Sequence, residues 1–239
     1  MESLTHPFWS RRCAAVIPCY NEATSIAGVV AATRKHLPGV IVVDDGSTDA
    51  TARNARKAGA ELVRLPANAG KGAALRAGWE RALEQGFEWV LLLDGDGQHA
   101  TEDIPGFFAT AEATTARLVV GNRMGNPGDM PWLRRLANRW MSRRISRLTG
   151  RPLPDTQCGF RLVHLATLGG LSLTARRFEI ESEMLVEFLA AGHRVEFVRV
   201  RTIYLARTSK IRVGPDTWRW LRWRWAQPAG PKWAHPQNP

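Results

Sequence analysis

Seven short apolar runs rich in β-branched residues alternate with segments of helical period over the first two hundred residues, and this alternation limits the fold more than any other feature. The runs lie near 14–17, 40–44, 61–65, 89–93, 117–120, 160–164 and 194–201; the helical segments lie near 24–36, 48–58, 71–85, 102–112, 132–148 and 178–191. Parallel neighbours need a crossover long enough to hold a helix, so this order predicts a mainly parallel sheet covered by helices. A chain of 239 residues, 44% of them hydrophobic, suffices for one large α/β domain and requires no second.

Local signals sharpen this outline. Ser47, Thr48 and Asp49 can each accept a bond from the first amides of the second helix, and Gly59 ends it. Residues 226–239 hold four prolines and no periodic pattern, which reads as a disordered tail. No apolar run approaches the roughly 20 residues of a membrane span, and residues 1–13 lack the apolar centre of a secretory signal, so a cytoplasmic location is expected. Cys13, Cys19 and Cys158 are odd in number and far apart, which predicts reduced, structural thiols. The net charge of +11 calls for an anionic partner: nucleic acid, a phosphorylated substrate or an acidic membrane surface.

Ligands of parallel sheets collect beyond the carboxyl ends of the strands. Here those positions carry Pro18, Tyr20, Asn21 and Glu22 after the first run, Asp44, Asp45, Ser47, Thr48 and Asp49 after the second, and Asp94, Asp96, Gln98 and His99 after the fourth. Residues two apart in an extended segment project to one side, so Asp94 and Asp96 can face one ligand while Gly95 and Gly97 let the backbone bend. Such a pair suits Mg2+ or Mn2+ bridged to a diphosphate, because hard cations take oxygen ligands and often share them with substrate phosphates. Other phosphate motifs fail: the glycines around Lys71 match neither a dinucleotide fingerprint nor a Walker loop. Lys71 either meets a phosphate near a helix start or is an exposed first-turn lysine.

The stretches IPCYNE, VVDDGSTD, NAGKGAALRAG, LLLDGDGQH, GNR, DTQCGFR, FEIESEM and a later SK occur in the order found in family 2 glycosyltransferases. Over about residues 14–213 the chain resembles that family, and most of all its dolichyl- or polyprenyl-phosphate sugar transferase branch. The resemblance implies a GT-A fold, a Rossmann-like sandwich, in a catalytic domain spanning 1–213, with 214–239 left as a basic, aromatic segment and tail. It also implies a nucleotide-sugar donor, with Pro18, Tyr20, Glu22, Asp45 and, less directly, Asp44 around the nucleoside. On the same pattern Asp94, Asp96 and Gln98 carry the divalent ion and the donor diphosphate, although Gln98 also suits an ordinary turn. Transfer would be inverting, with Arg123, Lys210 and Arg207 closing around the leaving diphosphate.

The acceptor is less constrained. A hydroxyl acceptor needs a general base, whereas a lipid phosphate is already anionic. Glu181, flanked by Glu179 and Glu183, falls where the wider family places its base; an acid that fixes the donor sugar or a basic neighbour is the other reading, and His99 is a weaker candidate base. From Pro131 to Pro154 there are seven arginines and no acid, with Arg135, Arg139, Arg143 and Arg147 recurring every four residues and Leu133, Leu136, Ala137, Trp140, Ile145 and Leu148 opposite them. Arg123, Arg134 and Arg135 are the candidates for an acceptor phosphate. Between Thr217 and Trp225 tryptophan alternates with arginine, a pattern suited to stacked nucleic-acid bases or to a lipid headgroup layer. The expected assignment is therefore a peripheral glycosyltransferase on an anionic membrane surface acting on a polyprenyl phosphate. A glycan or glycolipid hydroxyl acceptor, a nucleic-acid-binding module and an inactive scaffold are the alternatives.

Overall fold

Seven strands join into one sheet in the computed structural model, which describes residues 7–125, 128, 130–203 and 220–223. In chain order they are β1 (Cys13–Cys19), β2 (Val40–Asp44), β3 (Glu61–Arg64), β4 (Trp89–Leu92), β5 (Leu118–Asn122), β6 (Arg161–His164) and β7 (Val195–Arg199), laid side by side as β3-β2-β1-β4-β6-β5-β7. β2 and β4 are buried at every position and β1 at all but one, which is why they read as unbroken apolar runs instead of alternating. The edge strands β3 and β7 are only partly covered.

β1 is parallel to β2 and β4, β2 to β3, and β5 to β7, while β6 is antiparallel to both β4 and β5. The carboxyl ends of six strands and the amino end of β6 therefore share one rim. Register keeps them level: Cys19 lies opposite Asp44, and Leu92 opposite both Val16 and Arg161. The expected mainly parallel α/β sheet is present, with one reversed strand inside it.

The helices are α1 (Pro7–Arg12), α2 (Ile26–Thr33), α3 (Thr51–Lys57), α4 (Lys71–Glu84), α5 (Ile104–Thr114), α6 (Trp132–Thr149), α7 (Leu165–Gly169) and α8 (Glu179–Ala190). Every expected element is found within three residues at each end. α1 and α7 are additional; at six and five residues they are too short to show a period. α1 is nonetheless anchored, because Trp9 stacks on Phe108 at 4.6 Å and donates from Nε1 to Glu112 Oε1 at 2.7 Å. Of the three expected caps of α3 only Asp49 accepts the first-turn amide, that of Thr51, at 2.9 Å. Ser47 Oγ instead accepts from the Asn21 amide. Gly59 follows the helix with φ +88°. All three cysteines are free and buried.

Two expectations about the acceptor side need correction. α6 is present, but its buried residues are Asn138, Ser142, Ile145 and Thr149, whereas Trp132, Leu133 and Leu136 are 72%, 62% and 58% exposed. The reason is that α6 covers an irregular backbone stretch, not a sheet face: Ser142 Oγ accepts from the Thr156 amide at 3.0 Å and Ser146 Oγ from the Leu153 amide at 2.9 Å. The Trp/Arg segment is not wholly a surface element either. Trp220 is 2% exposed, donates to Ser182 Oγ at 2.9 Å and packs 5.7 Å from the Trp140 ring. The division at 213/214, Arg207, Lys210 and the tail at 226–239 lie outside the described residues.

Candidate active site

The shared rim opens into a cavity of about 860 Å³. Its floor is the segment after β4, where Gly95 and Asp96 form a turn in place of the extended backbone expected there. Gly95 packs so closely on β1 that a β carbon would stand 2.4 Å from Cys19 Sγ, so only glycine fits. The turn still brings Asp94, Asp96 and Gln98 to the cavity, and the Gln98 amide donates to Asp96 Oδ1 at 3.0 Å. His99 lines the cavity and braces this turn. Its ring stacks on Phe160 at 5.0 Å, and its Nδ1 accepts the Asp94 amide at 3.2 Å. Burial first, against the pull of Asp94, lowers its pKa to about 4, so the imidazole is neutral.

Asp94 and Asp96 are set apart electrostatically. Burial alone would raise the pKa of Asp94, but Lys71 outweighs it and holds the carboxyl well below the usual range. Asp96 has no such cation, and burial together with the charge of Asp94 pushes it up to about 6. Lys71 is no exposed first-turn lysine. It is 11% exposed, and its Nζ lies 2.5 Å from Asp94 Oδ1 and 2.6 Å from Glu181 Oε1. Gly159 makes the room: a β carbon there would come within 2.8 Å of both Lys71 Nζ and Glu181 Oε1.

Glu181 thus stands behind Lys71 and does not line the cavity. Its backbone carbonyl accepts from Arg161 Nη1 at 2.5 Å, and Arg161 also donates to the carbonyls of Cys158 and Thr156. Glu183 has a different task, accepting the amides of Thr174 and Ala175 at 3.0 and 2.8 Å. DTQCGFR, at 155–161, therefore acts as one bracket. Its first residue, Asp155, is fully buried and grips the Arg123 guanidinium through Nε at 2.8 Å and Nη2 at 3.0 Å.

On the β1–β2 side, Pro18, Tyr20, Glu22 and Asp45 line the cavity as expected. Asp45 also pins the next loop, accepting the amides of Ala69 and Gly70 at 2.7 and 2.9 Å; burial raises its pKa against those bonds. Asp44 does not reach the cavity. It is fully buried, accepting from the Ser47 amide at 2.9 Å with Arg64 Nε 3.2 Å away, so its role is to shape the turn after β2.

On the far side Arg123 and Arg134 line the cavity, whereas Arg135 does not. One step along a helix turns a side chain by about 100°, and here that step carries Arg135 off the lining. Asn21 lines it too, and Asn68, Arg177, Phe178 and Thr202 join the lining without a signal in the sequence. Asn68 and Arg177 sit in loops whose course depends on distant partners. Arg76 on α4, for example, donates to the carbonyls of Leu173 and Ala175 and so fixes the loop that presents Arg177. No period or spacing carries that information.

The donor chemistry of the floor fits a hard divalent cation. Burial and then the charge of Asp94 raise Asp96, and Gln98 lines the cavity with the two carboxylates. Among the described residues there is no group of three acid, histidine or cysteine side chains around a metal-sized point. An ion here would therefore take its remaining oxygens from a ligand or water.

Comparison with known proteins identifies the family. The model described as Glycosyl transferase family 2 matches residues 14–168. The glycosyltransferase AglJ of Haloferax volcanii is 34% identical over 203 residues, covering 84% of this chain and 64% of that protein. UDP-N-acetylglucosamine–dolichyl-phosphate N-acetylglucosaminyltransferase of Methanococcus voltae is 30% identical over 226 residues, 83% of this chain and 90% of its own. The fold matches glucosyl-3-phosphoglycerate synthase of Mycobacterium tuberculosis, with TM-score 0.70 and 20% identity over 88% of this chain and 78% of that one in its UDP complex. In its complex with Mn2+, UDP-glucose and phosphoglyceric acid the values are 0.68, 19%, 88% and 77%.

Proposed function

The chain belongs to glycosyl transferase family 2, and from that premise we propose that it moves a sugar from a nucleoside-diphosphate sugar to a polyprenyl or dolichyl phosphate at a membrane surface, with inversion at the anomeric carbon. The observation that carries this reading is the lining of one cavity by acids at the ends of β1, β2 and β4 together with the guanidiniums of Arg123, Arg134 and Arg177. Pro18, Tyr20, Glu22 and Asp45 receive the nucleoside. Asp94, Asp96 and Gln98 would hold Mn2+ or Mg2+ with the donor diphosphate, and the bound ion would supply Lewis-acid stabilisation of the departing phosphate. Arg123, held rigid by Asp155, adds positive charge without reorganisation, and Arg134 is positioned for the acceptor phosphate. Lys210 and Arg207 are proposed to close on the diphosphate.

The state of Glu181 favours a phosphate over a hydroxyl acceptor. A general base needs a free lone pair within reach of the nucleophile, and Glu181 is 7% exposed and paired with Lys71. The Methanococcus voltae relative, named for a dolichyl-phosphate acceptor, supports the same choice. For the membrane, no helix among the described residues is long and apolar enough to cross one. Peripheral contact is proposed instead through α6, where exposed Trp132, Leu133 and Leu136 adjoin an arginine-rich surface without acids. Burial of Trp220 removes one of the aromatics that a nucleic-acid reading relied on.

The test is a panel of UDP- and GDP-sugars assayed with Mn2+ and with polyprenyl phosphate or a glycolipid acceptor, on wild-type protein and Glu181→Gln. Transfer to the lipid phosphate with turnover within about tenfold of wild type is expected of the variant. A loss beyond a thousandfold with donor binding intact would instead assign Glu181 as base and a hydroxyl as acceptor.

A further inference from the structure

Lys71 begins α4, yet its side chain turns inward and its ammonium is held between Asp94 and Glu181 at 2.5 and 2.6 Å. A buried ammonium is tolerated only when paired, and Gly159 keeps open the space for it. The pairing occupies Oδ1 of Asp94, one of the two carboxylates assigned to the divalent ion. Oδ2 is 3.9 Å from His99 Nε2, in a corner that Gly159 also borders. Asp96 accepts only the Gln98 amide among the described residues. The two acids are therefore unequal: one already carries a cation and the other does not. An ammonium and a divalent ion on the same carboxylate repel each other.

We propose that Lys71 is a built-in competitor for the divalent ion. Its ammonium holds Asp94, so an ion binding alone has to displace it and binds weakly. When the ion arrives with a nucleoside diphosphate, the phosphates supply both the missing oxygen ligands and a new anionic partner for the ammonium, which pivots off Asp94 while keeping Glu181. The ammonium shares its one positive charge between Asp94 and Glu181; on leaving Asp94 it keeps Glu181, and the ion takes over Asp94. Loading of ion and donor is thereby made interdependent. This deepens the metal reading given above and rests on it.

The experiment measures Mn2+ binding to the full chain by electron paramagnetic resonance, alone and with UDP or GDP. Lys71→Gln keeps hydrogen-bonding reach and removes the charge; Lys71→Met serves if the glutamine variant folds poorly. Mn2+ alone is expected to bind at least tenfold more tightly to either variant than to wild type, while Mn2+ with nucleotide binds at least tenfold more weakly. Unchanged or weaker bare-ion binding in both Lys71 variants, with wild type loading normally in the presence of nucleotide, overturns this inference alone. Failure of wild type to bind Mn2+ even with either nucleotide overturns the metal reading and this inference with it.

Discussion

The two ends of the cavity solve opposite problems. At the β1–β2–β4 end, several charged groups are engaged before any ligand arrives: Asp45 by two amides, Asp94 by Lys71, Asp44 by the turn it shapes. At the α6 end Arg134 has no carboxylate partner among the described residues, and Trp132, Leu133 and Leu136 stand in solvent. The first end is a preformed receptacle for a small polar ligand, where buried charges must be satisfied at all times. The second is left incomplete, in the way of a surface finished by what docks on it. The contrast shows how much of a site can be read from the protein alone: one end is marked by bonds its acids already make, the other by apolar side chains left in solvent.

The sharpest break would come at the receptacle. Replacing Asp94 and Asp96 together with asparagine should reduce sugar transfer at least a thousandfold, roughly 4 kcal/mol of barrier. Retained transfer in a steady-state assay would end the claim that these acids carry the ion. Next in size is the bracket between the two ends. Asp155→Ala leaves the Arg123 guanidinium buried without its partner, and about 4 kcal/mol of unfolding free energy should be lost in a denaturant titration. A loss below 1 kcal/mol would mean that Arg123 is stabilised chiefly by something else.

A third expectation concerns pH. The folded-state pKa of His99, about 4, is below its ordinary value, so the unfolded chain binds the proton more tightly. Stability is therefore undiminished by this group above about pH 6.5 and falls as pH drops toward 4, by at most about 3 kcal/mol. His99→Asn should remove that slope from a pH series of unfolding curves. The smallest effect belongs to the unfinished end. Trp132→Ser or Leu133→Ser should each weaken binding to anionic vesicles by about 1 kcal/mol, roughly fivefold, without moving the melting temperature. A variant that loses stability instead would show these residues to be packed, and the contrast between the ends would dissolve.

The sheet was legible because β1, β2 and β4 are buried on both faces and must be apolar throughout. The acids were legible because strand ends in such a sheet converge. What escaped was set by tertiary partners. Asp44 and Asp45 are adjacent and chemically alike, yet only the register of β2 against β1 decides that one faces inward and the other the cavity. α6 does expose Arg139, Arg143 and Arg147, but its buried face carries Asn138, Ser142 and Thr149 beside Ile145, because it packs on α8 and on the irregular backbone at 153–156, which rewards serine where a sheet would reward leucine. Trp220 was read as a surface aromatic because nothing in its own neighbourhood announces Ser182.

The reversal of β6 has one more result. Because that strand enters the sheet backwards, the bracket before it arrives at the same rim as the tails of its neighbours, and Arg161 ties it to three carbonyls at once. The span from the floor acids to Arg123 is thereby set like the jaws of a fixed gauge. Substrates would be sorted by whether the reach between their reacting groups matches that opening, and changes made beyond it, in sugar substituents or in chain length, should be tolerated far more readily than any change in the gap itself.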